Sequence, residues 1–554
     1  MLKTRIKRGR SLATVALASA ALVLSGCAES ERDNGGEGEA GDEGAGGTFV
    51  FAGAAEPELL DPAFASDGET FRVARQIFEG LVGTEPGTAD PAPLLAEDWE
   101  SSDDGLTYEF TLRTGVKFHD GTDFNAEAVC FNFDRWYNFP EAVQSDDFAY
   151  YYGKLFRGFA EGPKAGEGIY EGCTADGEDK VTIELNSPFA GFISALSLPA
   201  LSMQSPSALE EHQDDSASNV NTTPYSTQHP TGTGPFEFQS WERGNQITLK
   251  RFDDYWGETA QVDTVRVVAI TDAKARATAV QNGEVDGADL IGPADLQPLE
   301  DAGMQIEARE PFTVLYLGMN QKTEPLDDIK VRQAIAHAID KEAVAAASLP
   351  EGSELAINFM PQSVNGWTDD VTTYEYDPDK ARELLEEAGA DGATIDFNYP
   401  TDVSRPYMPS PADTFNVLRS QLQEVGLNIR PVADVWSPDY LDKVTGTDDH
   451  GIHLLGWTGD YNDSDNFVGV FFGTATDEFG FENKELFDKI SEARGIPTLE
   501  EQTPLYEEIN RDIAEFVPGV PLAHPAPSLA FGPDVEGYVS SPVNDEVWNA
   551  VTVE

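Results

Sequence analysis

Residues able to do chemistry are plentiful in this chain, but few fall at the spacings a reaction needs. No G-x-S-x-G turn presents a serine nucleophile, and no H-E-x-x-H pair sets two imidazoles one helical turn apart for zinc. Gly232-Thr233-Gly234 lacks the third glycine of a dinucleotide loop, and no G-K-[ST] phosphate cradle occurs. The seven histidines are scattered. His450 and His453 are the closest pair, at i and i+3 beside Asp448 and Asp449. A metal site is one reading of them; a loop leading into a strand is the other, and the preferred one. Asp and Glu total 99, too many for any two to stand out as acid and base. The pattern points to binding rather than catalysis, with no cofactor and no metal.

The N-terminus decides the compartment. Residues 1–10 carry Lys3, Arg5, Lys7, Arg8 and Arg10 and no acid. The apolar run that follows ends at Leu24, short of the about 20 residues that cross a bilayer. A basic start and a short apolar stretch make an export signal. Leu24-Ser25-Gly26-Cys27 resembles the bacterial lipobox, in which the cysteine is lipidated and becomes the first mature residue. The alternative is an ordinary signal peptide with a chance cysteine. We expect residues 1–26 to be a lipoprotein signal peptide and Cys27 the lipidation site. Residues 27–47 hold no large apolar side chain, so they predict a flexible, acidic, glycine-rich tether. The expected location is the extracytoplasmic face of the cell membrane, held by lipid rather than threaded through the bilayer.

Two cysteines remain, Cys130 and Cys173. In an oxidising compartment an even pair predicts a disulfide, with two buried thiols as the alternative. Lys and Arg total 36, giving a net charge of −63. Nucleic acid is therefore not an expected partner, since phosphate binding needs basic patches. A chain of this length exceeds one hydrophobic core, so two or more lobes are expected.

The elements that must position any site follow from periodicity. Helical and strand patterns alternate, predicting an α/β fold. Strands are predicted at Thr48 to Ala52, Thr107 to Arg113, Lys180 to Leu185 and Gln246 to Lys250. Phe71 to Leu81 reads as a helix with Val73, Ile77, Phe78 and Leu81 on one face. Asp377-Pro378 caps a second helix that Gly389 ends. Pro411 to Val425 is a third, between strands at Thr394 to Tyr399 and Leu427 to Val432. That β-α-β order predicts a parallel or mixed sheet in the C-terminal half.

Several segments resemble the large solute-binding proteins of the oligopeptide, dipeptide and nickel ABC importers. They are Leu60-Asp61-Pro62, Gln76 to Leu81, and the run YEFTLRTGVKFHD from Tyr108 to Asp120. They continue with Thr231 to Phe236, Tyr255-Trp256-Gly257, Pro325 to Ala334 and Gly456-Trp457-Thr458-Gly459-Asp460. The resemblance implies a two-lobe periplasmic-binding-protein (Venus-flytrap) fold with an extra N-terminal subdomain. Lobe I is then expected from 48–90, 210–310 and 528–554, the extra subdomain from 91–209, and lobe II from 311–527. The Cys130–Cys173 bridge would lie inside the extra subdomain.

The resemblance also implies site residues. In dipeptide-binding relatives the aspartate of the GWTGD segment takes the ligand's ammonium, which matches Asp460. An arginine in an R-P-Y segment takes the ligand's carboxylate, which matches Arg405 in Ser404-Arg405-Pro406-Tyr407. A planar guanidinium suits that task because it can grip a carboxylate with two hydrogen bonds. The plainer readings are a loop acid or helix cap for Asp460 and a surface ion pair for Arg405. Trp457 and Tyr407 are expected cleft walls or core residues. Gly456, Thr458 and Gly459 complete the segment, with the glycines permitting close approach. The stretch Asp67 to Thr70 is an expected lobe I contribution to the cleft.

The resulting expectation is a monomeric receptor that captures short peptides, dipeptides above all, and delivers them to an ABC permease with its ATPase subunits. The alternatives are a nickel chelate, haem, an opine or an oligosaccharide as cargo, or an exported hydrolase.

Overall fold

The computed structural model describes residues 46–145, 148–213 and 220–554. Cys27, the signal segment and almost all of the expected tether lie outside the described residues. No helix among the described residues is long and apolar enough to cross a membrane.

Three sheets of four or more strands, beside two short two-stranded ones, organise the described residues. The first has seven strands, in the order Gln305–Ala308, Ser528–Phe531, Gly287–Ala288, Thr48–Gly53, Thr264–Ala269, Gln246–Arg251 and Phe236–Glu242. The N-terminal strand is central because Phe49 and Phe51 both point into a core closed by Trp548, at ring distances of 5.5 and 5.1 Å. It runs parallel to Thr264–Ala269 and Gly287–Ala288.

A second sheet has four antiparallel strands, ordered Ala96–Ser101, Thr107–Leu112, Lys180–Leu185 and Tyr170–Asp176. Tyr108, Phe110 and Leu112 alternate inward, as the period of two requires. The helix Ala126–Tyr137 covers that face. A disulfide joins its Cys130 to Cys173 of the Tyr170–Asp176 strand, across 43 residues of chain.

The third sheet has six strands, in the order Glu354–Leu355, Gly519–His524, Thr313–Met319, Ile452–Thr458, Thr394–Pro400 and Asn428–Asp434. The last three are parallel to one another, whereas Thr313–Met319 is antiparallel to both of its neighbours. The expected mixed sheet is present. The helix Pro411–Glu424 makes the return between its two outer parallel strands, with Phe415, Leu418 and Leu422 buried. The helix Pro378–Ala388 starts on Asp377, whose carboxylate accepts the Lys380 N–H at 2.9 Å, and stops on left-handed Gly389.

One predicted helix shifts. The Phe71 helix spans Gly68–Ile77, because Asp67 accepts the Thr70 N–H at 2.8 Å and starts it earlier. Phe78, in extended backbone, and Leu81, at a bend, lie beyond it. A Cβ at Gly80 would come within 2.7 Å of the Leu196 carbonyl, so the backbone there runs against another segment.

The chain passes between the first and third sheets at two places, 309–312 and 525–527. The passages are tied together. Arg309 N–H donates to the Pro527 carbonyl at 2.9 Å, and the Thr313 hydroxyl donates to the Pro525 carbonyl at 3.0 Å. The Arg309 guanidinium is buried against Asp289 and Glu546, and Arg72 also pairs with Asp289. Burial alone would raise the Asp289 carboxyl, but Arg309 and Arg72 overcome it and hold it well below the usual range.

Candidate ligand-binding site

Parallel neighbours end on the same side of a sheet, and the loops that leave those ends share one crevice. Here three parallel strands deliver three loops to one edge. The loop after Thr394–Pro400 carries Arg405 and Tyr407. The one after Asn428–Asp434 carries Trp436, and the one after Ile452–Thr458 carries Asp460. The topology thus brings the two charged candidates to a common edge although the sequence separates them.

Asp460 is half-buried. Tyr151 donates its hydroxyl to Oδ1 at 2.8 Å, and the Asn466 amide donates to Oδ2 at 3.2 Å. Asn466 also accepts the Asp460 N–H at 2.9 Å, which fixes the loop. Burial raises the carboxyl to about 6, while the Tyr151 and Asn466 hydrogen bonds and the Arg75 charge pull it back. No cation among the described residues stands within ion-pair distance of it. Asp463, not Asp460, caps the short helical turn that follows, accepting the Asp465 N–H at 2.7 Å.

Arg405 is also half-buried, and a small bridge with Met408 fixes its backbone, at 3.1 and 2.9 Å. Its guanidinium lies over the Trp436 ring, 4.5 Å from the centroid. No carboxylate among the described residues pairs with it, and its Nε has no hydrogen-bond partner. An acid without a cation and a base without an acid therefore share the edge, in a chain where carboxylates abound.

The remaining candidates divide. Tyr407 is buried against the sheet, and burial raises its hydroxyl to about 12. A Cβ on Gly456 would come within 2.4 Å of the Tyr407 ring and 2.3 Å of the Val314 carbonyl, so only glycine lets this ring lie flat. Gly459 admits the Phe312 and Phe467 rings in the same way. Trp457 is partly exposed and reaches Asn466 at 3.4 Å. Thr458 pairs with Thr313 at the strand end. On the first-sheet side, Asp67 caps its helix, and Glu69 accepts the Ala54 N–H at 3.1 Å and pairs with Arg72 at 3.3 Å.

Tyr151, Asn466 and Trp436 escaped the sequence reading. Tyr151 stands in the helix Tyr150–Phe156, whose side chains belong to the core of the four-stranded sheet. Its contact with Asp460 therefore joins distant parts of the chain, as do Asn462 to Asp90 at 3.1 Å and Arg494 to the Lys154 carbonyl at 2.8 Å. Trp436 carried a signal, an aromatic just beyond a predicted strand.

The histidine pair is structural. His450 sits in the loop before its strand and bonds the Glu478 carbonyl at 3.0 Å; burial lowers it to about 4. His453 lies within the strand and shares the Glu478 carboxylate with Tyr316, at 3.2 and 2.6 Å.

Comparison with known proteins agrees with this architecture. A family profile described as "Bacterial extracellular solute-binding proteins, family 5 Middle" matches residues 90–479. The dipeptide-binding protein of Escherichia coli K12 is 32% identical over 527 residues, covering 92% of this chain and 95% of that protein. Heme-binding protein A of Haemophilus influenzae is 31% identical over 98% of this chain and 99% of its own length. Among solved structures, a dipeptide-binding protein from Pseudoalteromonas sp. SM9913 in complex with Met-Leu superimposes with a TM-score of 0.78 at 25% identity, covering 92% of this chain and all of that one (100%). Helicobacter pylori DppA in complex with the peptide STSA gives 0.75 at 26% identity, over 92% of this chain and 99% of that one. With its two lobes, its shared sheet edge and these matches, the chain belongs to the family 5 bacterial extracellular solute-binding proteins.

Proposed function

We propose that the protein is a lipid-anchored receptor that captures short peptides, dipeptides above all, between its lobes and delivers them to an ABC permease and its ATPase subunits. The observation that carries this reading is the unpaired acid and unpaired base on one sheet edge. A free peptide brings an ammonium and a carboxylate, and both lose water when a cleft closes. Asp460 takes the ammonium. Arg405, over the Trp436 ring, takes the carboxylate with two parallel hydrogen bonds. Tyr407, Trp457, Thr458 and the backbone at Gly456 and Gly459 wall the site. The relatives named for dipeptides support the reading, as do the two neighbours solved with peptides.

The protein works as a monomer and performs no reaction on its cargo. Residues 48–90, 210–310 and 528–554 form lobe I, 91–209 its extra subdomain and 311–527 lobe II. Export depends on residues 1–26, lipid on Cys27 holds the mature chain at the outer face of the cell membrane, and residues 27–47 tether it. Calorimetry with a mixed dipeptide panel tests the central claim. Saturable one-to-one binding is expected, and absence of heat with every member overturns it. The similarity to a haem-binding protein favours a second cargo, so haemin belongs in the same panel.

A further inference from the structure

The third sheet ends in a two-residue edge strand, Glu354–Leu355, and the chain from there to Pro378 has no regular structure. Structureless segments of this length inside compact domains are uncommon and are usually functional. Beneath this one is a cavity of about 450 Å³, lined by apolar Ile339, Phe359 and Val517 and by polar Asn358, Thr373 and Asn510. That volume is within the usual range of small-molecule sites. None of the lining residues belongs to the Asp460 or Arg405 segments.

Among the described residues that line the cavity, Lys341 is the one cation. Its ammonium donates to the Ala356 carbonyl at 2.7 Å, and no carboxylate among the described residues is within ion-pair distance. An ammonium has three donors, and this bond uses one. Burial pulls the amine down to about 8, with the Glu375 charge opposing. Across the sheet edge, burial lowers His524 to about 4, so it adds no positive charge. Asp340 is occupied in capping Ala343 N–H at 3.0 Å. Leu355 and Tyr376, two of the few large apolar side chains left exposed, stand at the rim. A hollow with an apolar wall, polar groups beside it and one cation free of any carboxylate matches an amphipathic molecule with a single negative charge. The acids nearby, Asp340, Glu342 and Glu375, disfavour a doubly charged head.

We propose that this cavity is a second binding site, for a small amphipathic monocarboxylate whose apolar body fills the hollow and whose head pairs with Lys341. The test is calorimetry on the full chain with octanoate, octan-1-ol and octylphosphonate. Octanoate should bind saturably with one-to-one stoichiometry, and the other two at least tenfold more weakly. Lys341→Met should weaken octanoate at least tenfold and leave octanol unchanged, whereas Lys341→Arg should retain octanoate. Ala514→Leu, which narrows the hollow, should weaken octanoate and octanol together; Val517→Phe should do the same if Ala514→Leu fails to fold. Three results overturn the proposal: no saturable octanoate binding, equal octanoate affinity in Lys341→Met, or stoichiometric displacement of octanoate by a dipeptide.

Discussion

The Tyr151 hydroxyl donates to Asp460 Oδ1 at 2.8 Å, joining a helix packed on the four-stranded sheet to the edge of the six-stranded one that carries Arg405 and Asp460. The bond stabilises the ionised carboxylate and aims it. Tyr151→Phe should weaken dipeptide binding about tenfold, the size of a hydrogen bond to a charged group. Titration calorimetry at neutral pH reads it.

Dipeptide affinity should depend on pH with a definite sign. Burial raises the Asp460 carboxyl to about 6 in the free protein, so below that value the acid is protonated and the ammonium loses its partner. Affinity should fall by up to about tenfold per pH unit below 6 and level off above it. Tyr151→Phe should move the inflection upward, since the lost bond favoured the charged form. The same group opposes folding when ionised, so that contribution to stability is recovered as pH falls through about 6.

Asp460→Asn and Arg405→Ala should each weaken dipeptides by about 2–5 kcal/mol, because each leaves the opposite ligand charge unpaired in a closed cleft. The Asn variant should also lose the pH dependence. Arg405→Lys should rescue only part of the loss, since an ammonium can neither grip two oxygens in plane nor stack on Trp436. Equal affinities across the series would remove both residues from the site.

Gly456→Ala should cost about 1–3 kcal/mol of stability and weaken peptide binding, because its methyl group meets the rigid Val314 carbonyl and tilts the Tyr407 ring. Thermal unfolding and calorimetry on one sample separate the two effects.

The disulfide closes 43 residues of chain, so reducing it should destabilise the four-stranded sheet by about 4 kcal/mol on the chain-entropy account. Paired Cys130→Ser and Cys173→Ser substitutions should lower the unfolding temperature while leaving dipeptide affinity within about twofold.

Much of the fold was legible where local chemistry dominates. Asp377, Pro378 and Gly389 mark a helix from end to end, and the alternation at Tyr108, Phe110 and Leu112 marks a strand. The Phe71 helix was misplaced because its start depends on the Asp67 cap and its end on Gly80 running beside Leu196, a contact far away in sequence. At the candidate site, the GWTGD and R-P-Y segments exposed Asp460 and Arg405. Their partners Tyr151 and Trp436 come from a helix and a segment far away in sequence, and no local pattern links them. Lys341 gave no signal either, since its isolation from carboxylates exists only once the chain is folded.

The passages 309–312 and 525–527 reach the six-stranded sheet at Thr313 and His524, the end nearest Asp460; Met319 lies at the other end of the same strand. On the proposed reading, a ligand held at that edge would sit beside the two passages, where a turn of one lobe would pivot. Any swing of one lobe displaces the pocket little and the remote rim much. Short travel at a cargo held there would become long travel at the far surface, so the leverage would be set by where the two passages join the sheet.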